Sequence, residues 1–229
     1  TGLGFTPEFV WLDADDQLFA VTYGWMGLAP EGAGGLVAEL AAIQDAAEAD
    51  WLRRRAAELT QAMPARWCLA NARWLDVDKG ELQPLANLRI ADGVIEAVGA
   101  PADVDCSGFP AIDAGGRVVM PGLWDMHVHA GPADGLLHIA NGVTGARDLG
   151  NDHERIIRLV GEFDSGVLVG PRLQRAGFID KKSPYTAPTG TAVDTLDEAL
   201  AQIDAYAAQG YPQVKIYSSI PPEWVAPIA

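Results

Sequence analysis

The stretch "VVMPGLWDMHVHAG", residues 118–131, places two histidines one residue apart at the end of an apolar run. Alternate residues of a β-strand face the same side, so His127 and His129 point together and Val128 points away. Two neutral imidazoles about 7 Å apart can converge on one metal ion. The alternative is a pair of buried, hydrogen-bonded histidines, because two alternating histidines are a weak motif alone.

The sequence after this stretch alternates between strand and helix patterns. Four apolar strand segments, each followed by a helical pattern, run from residue 119 to residue 229. Alternating βα units predict a parallel sheet, either open or closed into a barrel. Barrel enzymes place their chemistry at the carboxyl ends of the strands, and the two histidines lie at such an end.

Two regions of different character precede the βα units. Residues 1–65 contain apolar runs on either side of an acidic turn at 13–17, then a long helical pattern that stops at Pro64. They predict a hairpin plus a long helix, of unassigned role. Residues 66–118 carry short strands punctuated by turn residues, which favours a small antiparallel sheet or half of a sandwich.

Composition excludes several partners and leaves others open. The formal net charge of −15 argues against nucleic acid or an anionic membrane as a partner, since both need a basic face. The apolar runs are shorter than a membrane-spanning helix requires. The two cysteines, Cys68 and Cys106, are too few and too far apart for a disulfide framework, and we expect free, partly buried thiols.

The stretch "IDAGGRVVMPGLWDMHVHAG", preceded by the strands of residues 66–99, resembles the amidohydrolase superfamily, and within it the imidazolonepropionase and prolidase-like dipeptidase branch. "NGVTGARDLG" is similar to the second barrel strand of that family, with Gly145 where a second threonine is usual. The resemblance implies an α/β fold: the first half of a (β/α)8 TIM-type barrel, preceded by a small β-sandwich segment. The N-terminal hairpin and long helix lie outside the common domain.

The resemblance also implies a metal site. His127 and His129 would hold one ion, and Lys215, in "QVKIYSSI", would be carboxylated by CO2 and bridge to a second. A lysine desolvated in a barrel mouth has a lowered pKa and can react as the neutral amine. The alternative for Lys215 is a snorkelling or salt-bridged side chain. Zinc is the expected metal, one ion or two, although other divalent metals suit the same donors.

Other polar residues carry weaker expectations. Tyr217, Tyr185 and His153 are candidate substrate contacts, from the strand of Lys215, the loop 177–190 and a helix start respectively. We expect Asp152 to cap that helix and His138 to have a surface or capping role. Asp148 is expected to form a local ion pair with Arg147, although it could instead orient a ligand.

The resemblance implies a metal-dependent hydrolase that cleaves an amide or another C–N bond, in a dipeptide or a small cyclic amide. In the family, two further histidines and an aspartate general base come from later barrel strands, so we expect this chain to be a fragment, inactive alone, or to be completed by a second chain or a homo-oligomer. The alternatives are a non-catalytic binding or scaffold protein, and a lactone or phosphoester hydrolase of the same fold. A periplasmic or secreted location is expected from the additional N-terminal region.

Overall fold

The computed structural model describes residues 9–23 and 26–229 in two compact units. One unit joins the chain up to Leu59 with Leu123–Ala229, and the other is Thr60–Gly122. The N-terminal helix therefore lies in the same compact unit as the βα part. Within the described ranges, no helix has the length and apolarity needed to cross a membrane.

The N-terminal segment forms a three-stranded antiparallel sheet followed by a helix. The acidic turn is closed by Asp13, whose Oδ1 accepts hydrogen bonds of 2.9 Å from the backbone N–H groups of Asp15 and Gln17. Residues 1–8 and 24–25 of the predicted hairpin region lie outside the described residues. The elements are β1 (Trp11–Leu12), β2 (Leu18–Tyr23), β3 (Met26–Leu28) and α1 (Val37–Leu59).

The second unit is one mixed sheet of five strands. Its strands pair in the order β6-β5-β4-β7, and β8 also pairs with β4. The Asp92-Gly93 turn has positive φ at both residues, 49° and 78°, as a tight two-residue hairpin requires. The strands are β4 (Arg66–Asp76), β5 (Glu81–Ala91), β6 (Val94–Gly99), β7 (Ala111–Asp113) and β8 (Val118–Val119).

The two cysteines of this sheet form a disulfide. Cys68 and Cys106 are bonded, with their Cα atoms 5.7 Å apart and a separation of 38 positions in sequence. The expectation of free thiols is therefore wrong. Its error came from treating distance in sequence as distance in space: parallel pairing of Cys68 with Ala111 brings the loop before β7 beside β4.

The βα part of the first unit contains two three-stranded parallel sheets, with the strand orders β11-β10-β9 and β13-β12-β14. β10 pairs in parallel with β9 and with β11, and β12 pairs in parallel with β13 and with β14. Only Ala176 separates β11 from β12 in the chain. The elements are β9 (Leu123–Val128), α2 (Asp134–Ala140), β10 (Val143–Asp148), α3 (His153–Asp164), β11 (Arg172–Arg175), β12 (Gly177–Lys181), β13 (Thr191–Val193), α4 (Leu196–Ala208), β14 (Val214–Ile216) and α5 (Pro222–Ile228).

The segment 177–190, predicted as a loop, is partly strand. Gly177–Lys181 is β12, and the short β13 that follows the loop pairs with it in parallel. Buried apolar side chains explain the difference, because Phe178 and Ile179 are 4% and 0% exposed and β12 pairs with both β13 and β14.

Helix α1 contributes to the core of the βα part. Leu52 is 2% exposed and belongs to one apolar cluster with Val128, Ala146 and Leu159. A second link joins α1 to the N-terminal sheet, where the Thr22 hydroxyl donates to Gln44 Oε1 at 2.6 Å. Helix α1 thus packs against β9 and β10 through Leu52, and the N-terminal sheet is linked to this helix.

Candidate metal centre

His127 and His129 lie at the carboxyl end of β9, where the strand pattern predicts them. Their ring centroids are 5.4 Å apart and the ring planes meet at 61°. Both residues are exposed, while Val128 between them is buried in the apolar cluster. The alternation of the strand therefore turns both imidazoles away from the core, as the metal hypothesis requires. The alternative of two buried structural histidines does not describe this pair.

The ring of His129 is held by one short hydrogen bond. Its Nδ1 lies 2.6 Å from the carbonyl oxygen of Gly150. A carbonyl oxygen only accepts, so Nδ1 carries a proton, and in the neutral imidazole the lone pair of Nε2 is free. Metal-binding histidines have this arrangement, in which the second ring nitrogen donates to a carbonyl or carboxylate that fixes the ring and its tautomer.

Glycine is required at position 150. Its φ is 147°, a region that other residues rarely adopt, and an added Cβ would lie 3.0 Å from Phe178 Cδ1 and 3.4 Å from His129 Cε1. The close approach of the backbone to the imidazole depends on the missing side chain.

The two imidazoles of His127 and His129 suit a divalent transition metal, although they supply only part of the ligands that such an ion needs. Two imidazoles at one strand end, one of them with a fixed tautomer, fit zinc or a similar ion. Within residues 9–23 and 26–229, no three His, Cys, Asp or Glu side chains cluster as a metal-binding group. The described residues therefore offer two imidazoles, and the assignment of further ligands stays a prediction.

Lys215 lies in β14, partly buried between two aromatic rings. Its Nζ is 5.1 Å from the centroid of the Phe178 ring and 4.9 Å from that of Tyr217. In the described part of the chain, Lys215 makes no ion pair within 4.0 Å. The salt-bridge alternative is therefore not what the structure shows, and the role of Lys215 as a carbamate stays a prediction.

The three candidate substrate residues have different surroundings. Tyr217 follows β14 and packs edge-on against Phe178, with ring centroids 5.1 Å apart. Tyr185 is 84% exposed in the loop before β13. His153 begins α3, and its Nδ1 is 2.7 Å from the hydroxyl of Tyr211. Tyr217 is next but one to Lys215 in the chain, whereas His153 already has a protein partner.

Two expectations about nearby residues change. The side chain of His138 is only 15% exposed, and its Nε2 lies 3.8 Å from Asp125 Oδ2, so the surface role is excluded, whereas its place in the last turn of α2 is compatible with the capping role. Arg147 does not pair with Asp148: its Nε donates to the carbonyl of Met126 at 2.9 Å. Adjacent residues of a strand point to opposite faces, which separates the Arg147 and Asp148 side chains. The N-cap prediction is confirmed, since the side chain of Asp152 accepts from the backbone N–H of Arg155.

Two buried carboxylates lie at the carboxyl ends of the strands: Asp180, which sequence reasoning missed, and Asp148, for which it expected Arg147 as the partner. Asp148 is 1% exposed and Asp180 is 2% exposed, and each accepts hydrogen bonds from the backbone of two neighbouring βα loops. Their positions as the last or next-to-last residue of an apolar strand were the available signal, because a buried carboxylate needs hydrogen-bond donors.

A further acidic group lies on α1. Burial raises the pKa of Glu48 above its usual value, and the charges of Asp45 and Asp134 raise it further, while Arg155 opposes them. Asp134 also accepts a hydrogen bond of 2.7 Å from the backbone N–H of Gly131, two residues beyond His129. Helix α1 therefore places a carboxyl group in the electrostatic environment of the loop that follows the histidine pair.

Comparison with known proteins supports the amidohydrolase resemblance. An adenine deaminase of Ruegeria pomeroyi is 27% identical over 158 residues, which is 66% of this chain and 26% of that protein. A Bifidobacterium longum protein assigned as a prolidase superposes with a TM-score of 0.60 at 24% identity, over 70% of this chain and 42% of its own. Bottromycin amidohydrolase superposes with a TM-score of 0.59 at 22% identity, over 87% of this chain and 39% of its own. No family model matches.

The predicted resemblance to the amidohydrolase superfamily is confirmed over the N-terminal portion of such proteins. The chain spans about a quarter of the length of the adenine deaminase it matches and about two fifths of the two solved structures. The fold is that of an α/β protein whose solved neighbours include bottromycin amidohydrolase.

Proposed function

We propose that this chain supplies the first metal-binding part of a metal-dependent hydrolase that cleaves a C–N bond. The observation that carries the proposal is the state of His129. Its ring lies at a strand end beside His127, with Nδ1 bonded to Gly150 and Nε2 free for a ligand. A histidine with only a structural role would have no need to keep that nitrogen open beside a second exposed imidazole.

In this proposal His127 and His129 hold the first divalent ion, with zinc as the leading candidate. Lys215, as a carbamate, holds a second ion. The bound metal would supply Lewis-acid activation of a water molecule and of the carbon centre under attack. The Gly150 carbonyl keeps the His129 ring in place and holds the proton at Nδ1. The family resemblance assigns the general base to an aspartate on a later strand than the four of this chain.

The relatives indicate the type of bond that is cleaved and leave the individual substrate open. The sequence match is to an adenine deaminase, and the solved neighbours include prolidases and an amidohydrolase. Cleavage of a C–N bond is common to these names, so we propose a small amide, a dipeptide or an amidine as substrate. Tyr217 is the first candidate contact, because its exposed ring lies beside Lys215; Tyr185 and His153 follow.

Assembly and location are proposals of the same kind. We propose that the remaining barrel strands come from a second chain, a homo-oligomer or a longer form of this polypeptide. The Cys68–Cys106 disulfide supports an oxidising compartment, periplasmic or extracellular, because cytosolic proteins rarely keep such bonds.

Metal binding tests the proposal directly. Isothermal titration with Zn²⁺ should show binding to the wild type and a loss of at least tenfold in affinity for His127→Ala and for His129→Ala. His138→Ala is the matched control, since its ring faces Asp125 and should leave binding unchanged. Binding that survives both histidine variants would contradict the proposal by placing the ion elsewhere, and an absence of binding in the wild type would contradict it and favour a scaffold protein.

Activity comes next, on the metal-loaded polypeptide from its natural source. Xaa-Pro dipeptides, cyclic amides and adenine should be hydrolysed in preference to lactones and phosphoesters. Turnover confined to lactones or phosphoesters would refute C–N cleavage while keeping the metal site.

A further inference from the structure

Asp148 connects the two loops that surround His129. Its Oδ2 accepts a 2.7 Å hydrogen bond from the backbone N–H of Ala130, the residue directly after His129. Its Oδ1 accepts a 3.0 Å hydrogen bond from the backbone N–H of Gly150, whose carbonyl holds the His129 ring. Asn151 Nδ2 donates to Oδ2 at 3.1 Å and completes the set.

Burying the Asp148 carboxylate lowers stability unless hydrogen-bond donors surround it. Asp148 is 1% exposed, and the described residues contain no cation paired with it. A buried carboxylate is stabilised only by the donors that surround it, and here all three donors belong to the loops after β9 and β10. The carboxylate therefore couples the position of residue 150 to the position of residue 130.

We propose that Asp148 is the positioning residue of His129. Through Gly150 it sets the carbonyl that keeps the proton on Nδ1, and through Ala130 it sets the backbone that carries the ring. Asp148 does not touch a ligand; it determines that Nε2 is the free nitrogen and that it points outward from the strand end. The consequence for metal affinity rests on the proposed function, whereas the tautomer does not.

Asp148→Asn tests this coupling selectively. The amide has one oxygen, which satisfies most donors when it faces Ala130 and Asn151. Its NH2 then faces the N–H of Gly150, so that hydrogen bond is lost and replaced by a repulsive contact. The substitution thus releases the one residue that holds the His129 ring, with almost no change in volume.

Asp180→Asn is a matched control in the same protein. Asp180 is equally buried, and its carboxylate also accepts three hydrogen bonds. Its Oδ1 accepts from the backbone N–H groups of Lys181 and Ser219, and its Oδ2 accepts from the backbone N–H of Ala187. Its loops follow β12 and β14 rather than β9 and β10. A general loss of loop order would affect both variants alike.

The experiment is ¹H–¹⁵N NMR of the imidazole nitrogens in the metal-free protein at about pH 8, where an ordinary histidine is neutral. Wild type and Asp180→Asn should show His129 protonated at Nδ1, and Asp148→Asn should show a mixture of tautomers. In Zn²⁺ titrations, Asp148→Asn should bind about 10- to 100-fold more weakly than wild type, and Asp180→Asn equally well.

A retained Nδ1–H tautomer in Asp148→Asn, or the same change in both variants, would overturn the positioning role. A selective tautomer change without any Zn²⁺ binding by wild type would uphold Asp148 as positioning residue and reject the metal function. If Asp148→Asn does not fold, Asn151→Ala removes one donor to the carboxylate and should shift the tautomer in the same direction, to a smaller extent; an unchanged tautomer there counts against the proposal.

Discussion

Leu52→Ala tests whether the N-terminal helix is part of the apolar core of the βα part. Leu52 is 2% exposed and lies in the cluster that contains Val128 and Ala146. The substitution removes three buried carbons at about 0.8 kcal/mol each. The cavity left behind brings the expected loss to about 3–4 kcal/mol in the free energy of unfolding, within the range measured for buried leucines. Leu59→Ala, at a position 62% exposed on the same helix, should change it by less than about 0.5 kcal/mol.

Hydrogen–deuterium exchange of β10 and α3 is the assay, because it reports on this unit separately from the disulfide-bonded sheet. Leu52→Ala should speed exchange at the most protected amides of both elements, and a lower urea midpoint should accompany it. Equal exchange in Leu52→Ala and Leu59→Ala would show that α1 does not contribute to the core of β9 and β10.

Three further predictions concern the loops, the disulfide and α1. Gly150→Ala should lower the free energy of unfolding by about 1–3 kcal/mol and weaken Zn²⁺ binding. Gly166→Ala, at φ 73° in open space, should leave Zn²⁺ binding unchanged, and isothermal titration of both variants measures the difference. Replacing both Cys68 and Cys106 by serine should destabilise the mixed sheet by about 4 kcal/mol for a 38-residue separation, seen as a lower urea midpoint that reductant no longer changes. The pKa of Glu48 is raised in the fold, so ionising this carboxyl opposes folding as pH rises above about 4.5. Glu48→Gln should therefore stabilise the protein by a few tenths of a kcal/mol at pH 7 and should not change its stability at pH 3. Thermal unfolding at both pH values measures this difference.

The parts of the site that follow from local pattern were predictable. Two-residue periodicity placed His127 and His129 on one face, and their position at the end of an apolar run placed them at the carboxyl edge of β9. The Asp152 cap follows equally from local chemistry, because a helix start needs an acceptor for its free N–H groups.

The parts that depend on distant pairing were not predictable. The disulfide needs β4 to lie parallel to β7, and the partners of Asp148 need β10 to lie beside β9. Sequence order suggested Arg147 as the partner of Asp148, although neighbours on a strand point apart. Gly145 is a similar case: an added Cβ there would lie 2.4 Å from the Trp124 ring, so the residue that replaces the usual threonine makes room for a side chain on another strand.

We propose that His127 and His129 bind a metal ion through their imidazole nitrogens. Zinc K-edge X-ray absorption of the Zn²⁺-loaded chain measures this directly. We expect two imidazole ligands at about 2.0–2.1 Å, lost in the His127→Ala, His129→Ala double variant. A spectrum without imidazole scattering, or one unchanged in the double variant, would contradict it.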